Sequence, residues 1–155
     1  MKAKVLVLGT LFLSISLLCL QLEEKEKLSK VEQKIKAIPN DESFAKYIKI
    51  PEVEKYIKIP KVEDDGSMYR IWIYFLFEPK SYSQVQTWTD AVCESSKRIL
   101  DHDGVVRDIE VWAIRPIGIY LIWGGVIVYG RTFYDHHTNK FEFKKIGGLR
   151  LKEEK

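Results

Sequence analysis

The first 22 residues constrain this chain most, because they combine two lysines with a long apolar run. Lys2 and Lys4 precede residues 5–22, which carry no charge. A positive start followed by an apolar stretch is typical of a secretory signal, and about 18 apolar residues also suffice for an uncleaved membrane helix. Residues 1–22 are therefore predicted to be a signal peptide or an N-terminal membrane anchor, with the rest of the chain on the extracytoplasmic side.

The sequence leaves open whether this leader is retained, cleaved or lipidated. The best match to a small-residue cleavage pattern, Ser14-Ile15-Ser16, lies in the middle of the apolar run. Residues 16–19 end in Cys19 and resemble a bacterial lipoprotein box, although Leu18 stands where that motif has a small residue. Cys19 is accordingly a candidate lipidation site, and residues 5–22 are the predicted contact with the membrane.

The charge of the chain argues against a nucleic-acid partner. The formal net charge is +3, but residues 65–146 contain ten Lys or Arg and ten Asp or Glu, so the excess lies outside them. Nucleic-acid binding needs a concentrated basic footprint. The two cysteines, Cys19 and Cys93, lie in a predicted membrane segment and a predicted helix, so we expect no disulfide between them. Abundant Lys, Glu and Ile with only six Asn or Gln give a thermophile-like composition.

Residues 23–38 are predicted to form a charged helical stalk. Its apolar residues follow a spacing of 3, 4 and 3 that marks one narrow helical stripe: Leu28, Val31, Ile35 and Ile38. Two interpretations remain, a solvated spacer helix or a short coiled coil between copies. Pro39 ends the helix, because proline disfavours a helical residue before it.

Residues 39–66 contain a tandem repeat and are predicted to be a linker. Residues 46–54 read KYIKIPEVE, and residues 55–63 read KYIKIPKVE. Two copies of nine residues are too few for a solenoid, and each Ile-Pro pair favours extended backbone at the isoleucine. We expect a semi-rigid arm whose apolar residues contact the domain or a neighbour.

Residues 67–146 are predicted to form a small α+β domain, followed by a loose tail over 147–155. The order is β-α-β-β-β, an antiparallel or mixed sheet packed against one amphipathic helix. The predicted buried face of the helix consists of Val85, Trp88, Val92 and Ile99. Residues 105–115 alternate in the manner of a strand, with Ile109, Val111 and Ala113 on one face.

All three histidines lie in turns beside aspartates, in the groups 101–103 and 135–137. Imidazole and carboxylate are zinc ligands, so the alternative metal site consists of His102, Asp135, His136 and His137. No longer metal motif accompanies these residues, and turn chemistry alone accounts for them. Asp108 and Glu110 lack a lysine two residues further on, where Trp112 stands, and Cys93 lacks an evident base, so we assign none of the three a catalytic role.

Aromatic side chains give the stronger functional signal. One helix covers only one face of a sheet, so the other face needs the repeat arm, a second copy or a partner to cover it. Aromatic residues on such a face bind other molecules. The candidate binding residues are Trp72, Trp112, Trp123, Tyr47 and Tyr56.

The sequence therefore predicts a non-catalytic, membrane-anchored, exported module that needs no cofactor and binds a protein partner or another copy of itself. Two alternatives remain open. One is a metal-dependent hydrolase built on the histidine and aspartate turns, and the other is a carrier that encloses a small ligand or lipid.

Overall fold

A computed structural model describes residue 21, residues 25–117 and residues 125–146. The predicted leader, apart from residue 21, lies outside the described residues together with Cys19, Trp123 and the tail over 147–155. No helix within the described ranges has the length and apolar character needed to cross a membrane.

The described chain is α+β, as expected, and its sheet is mixed and has five strands. The strands are β1 (Ile57–Asp64), β2 (Met68–Phe75), β3 (Asp108–Ile117), β4 (Gly125–Asp135) and β5 (Lys140–Lys145). Their order across the sheet follows the chain, β2 and β3 are parallel, and the other neighbours are antiparallel. The expected β-α-β-β-β order omitted β1, which lies inside the stretch predicted to be a linker.

Helix α3 (Tyr82–His102) connects the two parallel strands, and its ends follow from local sequence. The Ser81 hydroxyl accepts a hydrogen bond from the backbone N–H of Gln84 at 3.1 Å, which caps the first turn. After the last turn, Gly104 has φ +64°, the left-handed conformation that ends many helices. The face turned to the sheet is buried at the positions predicted from sequence except Ile99, which is partly exposed.

The N-terminal helices lie on the same side of the sheet as α3. Helix α1 covers residues 25–36, a 3₁₀ turn follows at Ile38–Asn40, and helix α2 spans Glu42–Ile48. Val31 and Ile35 are fully buried in the common core, and Lys34 forms an ion pair of 2.6 Å with Asp103 at the end of α3. The apolar stripe of the predicted stalk therefore contacts its own domain, and these side chains are not free to form a coiled coil between copies.

The two faces of the sheet differ in burial. On the helix side, alternating residues of β2 and β3 are almost completely buried: Tyr69, Ile71, Ile73, Phe75, Ile109, Val111 and Ala113. On the opposite side, most of the residues of β2, β3 and β4 retain contact with solvent. We refer to this second side as the open face. Alternation in β3 places Trp112 there, as the sequence predicted.

Candidate functional site

Two tryptophans lie side by side on the open face. Trp72 of β2 is the register partner of Trp112 of β3, and both are partly exposed. Partners in neighbouring strands point to the same side of a sheet, so the two indoles form one aromatic surface. This surface lies on the central strands of the sheet rather than at an edge.

Two rows of side chains cross all five strands on this face. The tryptophan row runs from β1 to β5 and consists of Lys61, Trp72, Trp112, Arg131 and Lys144. The carboxylate row lies two residues away on every strand and consists of Glu63, Arg70, Glu110, Phe133 and Glu142. The first row carries only positive charge, whereas the second has acidic residues at both ends and at its centre.

Each tryptophan has a cation over its ring. The Lys61 ammonium is 4.7 Å from the Trp72 ring centroid, and the Arg131 guanidinium is 5.2 Å from the Trp112 centroid. Such contacts contribute about 0.5–1 kcal/mol where solvent reaches them. The cations therefore hold the aromatic surface in place and charge its rim.

Glu110 lies at the centre of the carboxylate row and is 4% exposed. A buried carboxylate needs compensation, and here two arginines provide it. Arg131 forms an ion pair with one oxygen of Glu110, and Arg70 Nε lies 3.5 Å from the other. Arg70 also contacts Asp65 at 3.0 Å, so this network fixes both arginines of the open face.

The tyrosine candidates do not belong to this surface. The Tyr47 hydroxyl, on α2, donates a 2.6 Å hydrogen bond to Glu94 of α3, which raises the pKa of Tyr47 and lowers that of Glu94. Tyr56 contacts Trp88 of α3, with ring centroids 6.5 Å apart. Both tyrosines are therefore on the helix side, while Trp123 and Cys19 lie outside the described residues.

Part of the predicted histidine and aspartate cluster converges at one end of the sheet. His136 Nδ1 lies 2.6 Å from Asp108 Oδ1, and the His136 backbone N–H donates to the same oxygen at 3.0 Å. Asp108, Asp135 and His136 each place one ligand atom within 4.8 Å of the others. The Thr138 hydroxyl and neighbouring amides donate to Asp135 and lower its pKa, which keeps it ionised.

The other two histidines take different positions. The His137 ring contacts the His136 ring, with centroids 3.8 Å apart. His102 Nδ1 lies 3.0 Å from Asp103 Oδ1 at the end of α3, where Lys34 holds the same carboxylate. Among the described residues, the group that converges contains two of the four predicted ligands, Asp135 and His136, together with Asp108, which was not predicted as a ligand; His102 and His137 are not part of it.

Cys93 and the cavity beside α3 offer no further chemistry. Cys93 is fully buried, and its burial raises the pKa of the thiol far above that of a nucleophile. A cavity of about 240 Å³ lies between α1, α2 and α3. Its two long cationic side chains, Lys34 and Arg98, already form ion pairs with Asp103 and Glu94, so they are neutralised there.

No protein family, curated protein or solved structure matches this chain. The function must therefore be argued from the geometry alone. The sequence placed Trp112 on the face opposite the helix and left open whether Trp72 or Ile71 lies there on the first strand, and it gave no sign of the cations over the rings. Alternation over residues 57–64 would place Lys61 on the same face as Ile57 and Ile59, and only the register shift between Lys58 and Lys61 brings it beside Trp72.

Proposed function

We propose that this chain is a membrane-anchored, exported binding or assembly module, and that it contacts a protein partner or another copy of itself through the open face of its sheet. The observation that carries the proposal is the aromatic surface of Trp72 and Trp112, held in place by cations on an otherwise partly exposed sheet. Aromatic residues and arginine are the side chains most enriched at protein interfaces and their hot spots.

The uncovered side of the sheet supports a role in binding. The repeat arm was one of three candidate covers, but its second copy forms β1 and its first copy lies on the helix side. Within the described residues, neither copy of the repeat therefore covers the open face.

Site-specific photo-cross-linking tests this role. A benzophenone amino acid would replace Trp72 in one variant and Tyr47 in a matched control, both expressed as full chains in their native membrane. We expect a discrete adduct from position 72, because the open face is covered, and none from position 47 on α2. Equal adducts from both positions, or none from either, would contradict the proposal.

Attachment to a membrane is a separate part of the proposal and needs a separate test. It rests on Lys2, Lys4 and the uncharged residues 5–22. The intact mass of the protein from its membrane fraction should equal the full-length mass if the segment is an anchor. A mass truncated near Ser16 would indicate secretion instead, and a chain beginning at Cys19 with added lipid would indicate a lipoprotein.

A metal-dependent hydrolase remains a second candidate, favoured by the convergence of Asp108, Asp135 and His136. Carboxylate and imidazole suit zinc or manganese. Titration of the full chain with either ion should raise its melting temperature if the group binds metal, and Asp108→Asn should abolish the shift. His102→Ala is the matched control, since His102 lies outside the group. An unchanged melting temperature would remove this candidate.

The carrier alternative gains no support from the core. Several large side chains between the sheet and α3 are 0–1% exposed, among them Tyr69, Ile71, Phe75 and Val92. Side chains that line a cavity large enough for a ligand would be accessible to a water molecule inside it. Among the described residues, these side chains pack closely against one another.

A further inference from the structure

The two charged rows of the open face fit each other. On β1, Lys61 of the tryptophan row lies two residues from Glu63 of the carboxylate row and forms an ion pair with it within the single copy, a pair that a facing copy would exchange for its own. On β5, Lys144 lies two residues from Glu142 in the same relation. A second copy that exchanges the two rows would therefore bring opposite charges together at both edges of the sheet.

We propose that the occupant of the open face is a second copy of this chain, packed face to face about a twofold axis. The axis lies in the interface, crosses the strands and runs between the two rows. This inference rests on the proposed binding role of the open face and names its partner. Aligned sheets pack about 10 Å apart with strand directions within about 30°, which permits this arrangement.

The axis between the rows places unlike groups opposite each other along the sheet. Glu63 faces Lys61 of the other copy, and Glu142 faces Lys144. In the interior, Arg70 lies opposite Trp72 and Arg131 lies opposite Phe133, both of which are cation–aromatic combinations. At the centre, Glu110 lies opposite Trp112 and stays neutralised by its own two arginines. None of the five combinations joins like charges.

The aligned twofold arrangement with its axis parallel to the strands is disfavoured by charge. An axis parallel to the strands would place Glu63 opposite Glu142 and Lys61 opposite Lys144. Like charges in direct opposition are unfavourable, and such repulsion is the main means by which interfaces reject a wrong partner or orientation. The charge pattern therefore selects the axis that exchanges the rows.

The size of the face predicts a weak dimer. Five strands about 4.8 Å apart, with about four side-chain rows, give an interface on the order of 500 Å² per copy. A total of roughly 1,000 Å² lies below the size of standard stable complexes and is typical of weak or transient contacts. Shared attachment to a membrane raises the effective concentration of two such copies.

The arrangement can be tested by reversing one charge in each of two variants and then mixing the variants. Lys144→Glu and Glu142→Lys should each raise the dissociation constant of the dimer at least about tenfold. The twofold symmetry makes each new repulsive contact occur at two places. A mixture of these two variants should restore a heterodimer, because each reversed residue then meets an opposite charge. Native mass spectrometry of the full chain in detergent counts the copies, and Lys145→Glu is the matched control because Lys145 lies on the helix side, over the Tyr82 ring.

A second pair at the other edge makes the test specific. Lys61→Glu and Glu63→Lys should show the same loss and the same rescue on mixing. A response at residues 142 and 144 alone would indicate edge-to-edge pairing of β5 strands and overturn the facing arrangement. Failure of both mixtures to form heterodimers would overturn it as well.

The cross-linking experiment separates this inference from the proposed function. An adduct from position 72 with twice the mass of the chain would support a second copy. An adduct with a different protein would overturn the second copy as occupant, yet leave the binding role intact. The absence of any adduct from position 72 would remove both.

Discussion

The two copies of the repeat have the same residue at eight of nine positions, yet they fold differently. The first copy, 46–54, ends helix α2 and continues into a 3₁₀ turn at Val53–Lys55. The second copy, 55–63, forms most of β1 and pairs with β2. Since the local sequence is nearly constant, the surroundings of each copy must decide its conformation.

The residues that flank each copy determine its conformation. The first copy follows Asp41, whose side chain caps α2 by accepting from the Ser43 N–H at 2.7 Å. The second copy leads directly into the turn at 65–67, where Asp65 accepts from the amides of Ser67 and Met68 and returns the chain as β2. Helix capping on one side and hairpin formation on the other thus override the shared propensity of the repeat.

The largest difference in stability between matched substitutions is expected at the isoleucine that follows each tyrosine. Ile57 of the second copy is fully buried, whereas its counterpart Ile48 is only partly buried. We expect Ile57→Ala to lower the free energy of unfolding by about 2–5 kcal/mol. Ile48→Ala should cost roughly 1 kcal/mol, because less apolar surface is lost from the core. Denaturant unfolding of both full-chain variants measures the difference, and equal losses would contradict the assignment of β1 to the core.

Replacing the lysine after that isoleucine by glycine should change the free energy of unfolding in opposite directions in the two copies. Lys49 has φ +58° at the end of α2, a conformation that glycine adopts without strain. Lys49→Gly should therefore raise the free energy of unfolding by up to about 1 kcal/mol. Lys58, its counterpart, lies in β1, where glycine costs roughly 0.5–1 kcal/mol. A loss of stability in both variants would show that the first copy does not end its helix in this way.

The smallest effect on backbone conformation is expected at the one position that differs. Glu52 forms an exposed ion pair of 2.6 Å with Lys55, while Lys61 lies over the Trp72 ring. Exchanging the two residues, Glu52→Lys with Lys61→Glu, should cost no more than about 1.5 kcal/mol and leave both conformations unchanged. Amide exchange should still protect residues 57–64. Loss of that protection would mean that this single difference, rather than context, selects the strand.

Elements with strong local signals could be predicted from the sequence. Ser81 and Gly104 mark the ends of α3, and strict alternation placed Ile109 and Val111 on the buried side of β3. The strand β1 could not be recognised, because its sequence also occurs at 46–54 in another conformation. Repeat identity suggested one shared structure for both copies, and pairing with β2 is a tertiary effect that no local pattern contains.

The candidate site was predictable to the same extent. Alternation identified Trp112 on the open face, but Lys61 and Lys144 joined the tryptophan row only through the pairing of the two edge strands. Asp108 meets His136 because β3 and β4 pair in register, a contact that spans 28 residues of chain. His102 is equally close to an aspartate in sequence, yet it lies at the end of α3 with Asp103.

The most direct test of the account compares the reactivity of three tryptophans. Trp72 and Trp112 lie on the open face, while Trp88 of α3 is 3% exposed and serves as an internal reference. Hydroxyl-radical oxidation would be measured in the native membrane and again in dilute detergent. We predict that Trp72 and Trp112 are protected in the membrane and become reactive on dilution, while Trp88 stays protected throughout. Equal oxidation of Trp72 and Trp112 under both conditions would contradict a covered open face.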